Sequence, residues 1–248
     1  MPRSILSILA HPDDAEFLCS GALIRLNEEH GFTVHIASMT AGDCGSTEHG
    51  PAVISRMRRE EGRHAAELIG ANYWCVEEKD LRVFYNERTL ERVTRLMRLT
   101  RPEIVLTHSP SDYMLDHEQT SIIARAATFA APIPNFRCER GIGEPLARIP
   151  HLYYCDAIEG IDPLGRDIPA GFRIDISRVI DRKAEMLARH ASQREWLMKH
   201  HGMDHYVTAM RDWSGKRGRE AGVAFAEGFR QHLGHGYPRE NLLESLLR

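Results

Sequence analysis

Two short stretches hold most of the groups able to do chemistry. In AHPDDAE, residues 10–16, a histidine and two adjacent carboxylates stand at the end of an apolar run, SILSILA (4–10). Like charges at the end of a buried strand are opposed by both repulsion and desolvation, so the arrangement calls for a positive partner. HPDD has two readings. In the first it is a turn, with Pro12 presetting φ and Asp13 or Asp14 capping the next helix. In the second, His11 and Asp14 are metal ligands and Asp13 is a spare carboxylate. A hydrolytic zinc usually has three protein ligands and an open position for water, so a third must come from another strand end. SPSDYMLDHEQTS (109–121) offers it, because Asp116 and His117 open a helix after the run EIVLTH (103–108). His117 alone reads as an ordinary helix N-terminal histidine. Two such clusters at two strand ends of one sheet favour the metal reading, with Asp116 placed to orient a ligand from outside the ligand set.

The elements that must position these groups are legible as patterns. Short β-type runs recur at 4–10, 33–39, 71–76, 103–108 and 151–156, and helical spacing fills 14–30, 52–69, 87–100 and 117–130. This alternation predicts βαβ units and a mainly parallel sheet, a Rossmann-like three-layer α/β fold. In such sheets ligands collect at the carboxyl ends of strands, where His11 and His108 both fall. Residues 132–150, rich in Pro, Gly and Arg, read as a long loop of the kind that often acts as a lid. Beyond about residue 176 the chain reads as almost wholly helical. The expectation is one domain over 1–248, with an α/β core to 176 and a helical C-terminal extension over 177–248.

Composition narrows the class. A chain of 248 residues buries enough surface to fold without disulfides or a structural metal. A formal net charge of -3 gives no case for nucleic acid or an anionic membrane as partner. Five cysteines, an odd number without a CxxC pair, read as reduced thiols. The N-terminal apolar run is too short for a signal peptide, and no segment has the length of a membrane span, so a cytoplasmic location is expected.

With these motifs in hand, the sequence resembles the PIG-L/LmbE-like zinc-dependent deacetylases, which remove acetyl groups from N-acetylglucosamine-type sugars and their conjugates. AHPDDAE carries the resemblance first. TAGDCGS (40–46), MRREEGRHAAELIGA (57–71), DYMLDH (112–117) and KAEMLARHASQ (183–193) follow in the family's order. The resemblance implies zinc on His11, Asp14 and His117, Asp13 as general base, substrate contacts from Arg58, Asp112 and Tyr113, and a homo-oligomer. The ligand set also suits Fe2+, Co2+ or Mn2+. One departure stands out. Where the family often has a histidine with a charge-stabilising or acid role, this chain has Met114, and a thioether donates neither a hydrogen bond nor a proton. Tyr113, His108 and His190 are the candidates to replace it, with His190 favoured as a second catalytic residue. HHGMDH (200–205) and KRGRE (216–220) read as surface, and Glu227 in AFAEGF (224–229) is open to a place near the site mouth. The competing expectations are another metal-dependent amidase or phosphoesterase, and a sugar- or nucleotide-binding domain without catalysis.

Overall fold

A computed structural model describes residues 3–138, 143–193 and 206–248. Strand β1 (Ser4–Leu9) is wholly buried, and its alternating side chains feed two cores. Ile5 and Leu9 pack on one face with Leu23, Leu26 and Leu187, while Leu6 and Ile8 pack on the other with Val93, Met97 and Ile123. A strand apolar on both faces belongs at the centre of a covered sheet, and β1 lies there.

The sheet runs β3-β2-β1-β4-β5-β7-β6. Its parallel part comprises β1, β2 (Thr33–Thr40), β3 (Asn72–Glu78), β4 (Ile104–Thr107) and β5 (His151–Cys155). Register is set by pairs such as Leu9↔Ser38 and Ser7↔Leu106. Helices α1 (Asp14–Leu18), α2 (Ser20–His30), α3 (Pro51–Glu67), α4 (Glu87–Thr100) and α5 (Leu115–Ala130) provide the crossovers. Local chemistry marks their starts: Pro51 occupies the first turn of α3, and Asn86 Oδ1 accepts the Thr89 N–H at the start of α4. The expected helix over 14–30 is broken at Cys19 into α1 and α2.

Two expectations are corrected. The segment after 176 is not a purely helical extension. After β6 (Phe172–Asp175) come α6 (Ile180–Ala188) and α7 (Tyr206–Ala221), and then β7 (Ala226–Gln231) enters the sheet between β5 and β6, antiparallel to both. Helix α8 (Leu242–Leu247) then buries Leu243 and Leu247 in the first core. The described residues of the loop after α5, 131–138 and 143–150, do not line the site either: they lead from the C-terminus of α5 to the start of β5, at the amino edge of the sheet, where Arg98 of α4 donates to the carbonyls of Ala131 and Ile133. All five cysteines are free. Among the described residues no helix is long and apolar enough to cross a membrane.

Candidate metal centre and active site

From β1 the chain winds outward through β2 to β3, and from β4 it winds the other way. The carboxyl ends of β1 and β4 therefore flank the switch point of the sheet, the crevice where doubly wound folds bind ligands. The loop after β1 delivers His11 and Asp14, and the first turn of α5 delivers His117. A nitrogen of each ring and an Asp14 oxygen lie within 4.8 Å of one another. His11 Nδ1 is 3.3 Å and His117 Nε2 3.7 Å from Asp14 Oδ2.

Each ring is held from behind. His117 Nδ1 lies 2.9 Å from Asp112 Oδ1, which leaves Nε2 turned toward Asp14. His11 Nε2 lies 3.4 Å from Asp116 Oδ2, and Asp116 is fixed by the N–H groups of Leu81 (2.6 Å) and Val83 (3.4 Å). His108, wholly buried, stacks on His117 at 3.9 Å with 8° between ring planes. Carboxylates backing imidazoles fix ring orientation and tautomer, the usual support of a metal-ligating histidine.

The electrostatics suit a cation. Burial works against charge on His11, but Asp116 and Asp14 outweigh it and raise its pKa to about 10. Burial likewise opposes charge on Asp14, yet the imidazoles of His117, His108 and His11 hold its carboxyl well below the usual range. His108 goes the other way, lowered to about 4 by burial and by His117, and stays neutral. Two imidazoles and an ionised carboxylate, in a pocket able to hold a positive charge on His11, fit a divalent ion in the proton's place.

Asp13 stands beside this cluster in a separate set of contacts. Its φ of 111° is a conformation that a residue with a side chain rarely adopts, costing on the order of 1–3 kcal/mol, and it turns the carboxylate into the cavity. Oδ2 accepts from the Tyr206 hydroxyl at 2.6 Å, and Oδ1 from Arg58 Nη2 at 3.2 Å. Burial raises the Asp13 pKa, Arg58 opposes the rise, and Asp14 adds to it. A carboxyl so balanced is suited to taking and returning a proton. Arg58 is buried and also donates to the Pro12 carbonyl at 2.8 Å, so it is not a solvated helix charge. The TAGDCGS loop makes room for it. Gly42 has φ +71°, and a Cβ there would sit 2.2 Å from Arg58 Nη1.

The remaining expected residues divide. Tyr113 and Met114 line a cavity of about 400 Å³ together with His11, Asp13, Asp14, Arg58 and His117, a size within the usual range for small-molecule sites. Asp112, expected to touch substrate, is corrected. It is buried under His117 with a second oxygen accepting from the Ile158 N–H, and it does not line the cavity. His190, expected as a catalytic group, is corrected as well. The end of α6 buries it with Nε2 3.6 Å from Glu16, and it too is absent from the cavity wall. Glu227 is not at the mouth. It accepts from the N–H groups of Gly21 and Ala22 at the start of α2 and pairs with the buried Lys183. HHGMDH (200–205) lies outside the described residues. Tyr206, the next residue, was not singled out from sequence. The one available signal was an aromatic residue opening a helix beside that histidine cluster.

The fold and the site together define a Rossmann-like α/β protein with a candidate metal centre at its switch point. Residues 6–128 match the family model described as PIG-L, GlcNAc-PI de-N-acetylase. The chain is 29% identical to the 4-oxalmesaconate hydratase of Pseudomonas putida KT2440, covering 73% of this chain and 70% of that one. It is 27% identical to the 1D-myo-inositol 2-acetamido-2-deoxy-alpha-D-glucopyranoside deacetylase of Rhodococcus jostii RHA1, covering 77% and 82%. The structure resembles the N,N'-diacetylchitobiose deacetylase of Pyrococcus horikoshii with a TM-score of 0.78 at 21% identity, covering 97% and 88%. The relatives thus include both deacetylases and a hydratase.

Proposed function

We propose that the protein is a metal-dependent N-deacetylase, removing an acetyl or other acyl group from an amino sugar or its conjugate. The observation that carries this reading is the gathering of His11, Asp14 and His117 beside a separately held Asp13. A divalent cation held by His11, Asp14 and His117, zinc by family resemblance, would lower the pKa of a water toward 7 and polarise the amide carbonyl. Asp13 takes the proton of the attacking water and hands it to the leaving nitrogen. Arg58 and Tyr206 hold the Asp13 carboxylate in place and favour its ionised form against the effect of burial. Of the three candidates to replace the histidine absent at Met114, Tyr113 lines the cavity and His108 and His190 do not, so its hydroxyl is the donor nearest that role.

Similarity to a hydratase supports a second reading, water addition to a carbon–carbon double bond in a carboxylate-bearing substrate. The lining favours the first: among the described lining residues the one guanidinium, Arg58, is engaged by Asp13 and the Pro12 carbonyl, and no further Arg or Lys stands there to hold the carboxylates of such a substrate. The test is acetate release from N-acetylglucosamine and N,N'-diacetylchitobiose by metal-loaded protein, with and without chelator, beside loss of absorbance from conjugated unsaturated carboxylates. Loss of absorbance without acetate release would move the assignment to the hydratase reading. Free thiols at all five cysteines support a cytoplasmic setting, and the family resemblance supports a homo-oligomer.

A further inference from the structure

Polar groups crowd the floor of the cavity, but many of the described residues on its wall are apolar. Phe17, Leu81, Tyr113, Met114 and Ile158 form much of the wall. Outside it, Leu81, Phe84, Tyr85, Tyr113 and Leu115 are each 53–67% exposed. These five residues come from the loop after β3 and from the entry into α5, two segments tied together beneath the surface. Asp116 accepts the N–H groups of Leu81 and Val83, and Gln119 Oε1 accepts that of Tyr85. Leu81 has φ +63°, a left-handed conformation unfavourable to a leucine, and its N–H is held by the carboxylate that backs His11. Strain is thus maintained where it presents an apolar side chain at the site mouth, and such strain clusters at functional positions.

We propose that the substrate carries an apolar group, either an acyl chain longer than acetyl or an alkyl or aryl aglycone, which lies on this rim. The proposal rests on the N-deacylase reading only for its catalytic arm. The rim and the cavity are continuous, because Leu81 and Tyr113 belong to both, and this favours substrate as the occupant over another protein surface. Sugar hydroxyls laid on these side chains would lose water without gaining partners, whereas methylenes or an aryl ring gain by leaving water.

The test is calorimetric titration of metal-loaded protein with acetohydroxamate, hexanohydroxamate and octanohydroxamate. The expected result is tightening with chain length, up to about four-fold for each methylene that is fully buried. A catalytic arm compares N-acetyl with N-octanoyl glucosamine, and methyl with phenyl N-acetylglucosaminide, and so separates the acyl side from the aglycone side. Leu81→Asn suits the left-handed backbone and keeps the N–H, and it is expected to cut the octanoyl preference at least three-fold; Phe84→Ser gives the same trend from an exposed position. Flat responses to both chain length and aglycone overturn the proposal. So does a change from oligomer to monomer in sedimentation for either variant with the preference intact, since the rim would then be a self-association face. Chain-length-dependent binding without release of any acyl group leaves the rim standing and removes the deacylase reading; release with flat profiles does the reverse.

Discussion

Tyr206→Phe isolates one hydrogen bond. The ring stacks on Phe17 at 5.8 Å with 25° between planes, and phenylalanine keeps that contact. The variant loses the hydroxyl donated to Asp13 Oδ2 at 2.6 Å. Burial keeps the Tyr206 hydroxyl protonated far above neutrality, so it is a donor throughout the working range. A hydrogen bond to a charged group contributes about 1.5–3 kcal/mol. Because the bond stabilises the carboxylate and not the acid, its loss favours protonated Asp13. At about 1.36 kcal/mol per pH unit, the acid limb of the kcat/KM profile moves up by about 1 to 2 pH units. The rate below the wild-type limb therefore falls about 10- to 100-fold and recovers as pH rises above the displaced limb. The assay is acyl release across pH with metal content measured at each point. A uniform loss at every pH, or an unmoved limb, would refute Asp13 as the titrating base held by Tyr206.

Asp13→Asn tolerates the positive φ and is expected to keep its metal by elemental analysis while losing about 10²–10⁴ in kcat; Asp14→Ala loses both metal and activity. Asp112→Asn weakens the hold on His117 and lowers metal affinity about 10- to 100-fold, read by competition with a chromogenic chelator. Lys183→Met leaves Glu227 buried with two backbone donors but no cation. The expected cost is about 3–5 kcal/mol, seen as a fall in melting temperature of about 6–20 °C, partly recovered by adding Glu227→Gln.

The sheet was legible as far as β5 because parallel strands covered on both faces are continuous apolar runs. SILSIL and EIVLTH advertise themselves by composition. The last two strands do not. FRID and AEGFRQ carry charges and a glycine, and β7 holds the buried Glu227 because that carboxylate caps α2 and pairs with Lys183. Within the site, the ligand candidates were legible because HPDD and DH are contiguous in sequence. The place of Asp112 was not legible, because spacing does not tell whether a carboxylate points into a cavity or behind a ring. The burial of His190 beside Glu16 was hidden for the same reason. Tyr206 was invisible because its partner, Asp13, lies at the far end of the sequence and only the tertiary fold joins them.

The place of β7 bears on how the molecule matures. Among the described residues, strand β6 pairs in the sheet with β7 alone, and β7 follows every other described strand in chain order. Until it is made, β5 presents an open edge and β6 has nothing to pair with, a state exposed to edge-to-edge aggregation. Asp13 precedes by far its partner Tyr206 from α7, the helix that leads into β7. In chain order, the carboxylate of Asp13 can gain its hydroxyl partner only when the helix that leads into the closing strand has been made.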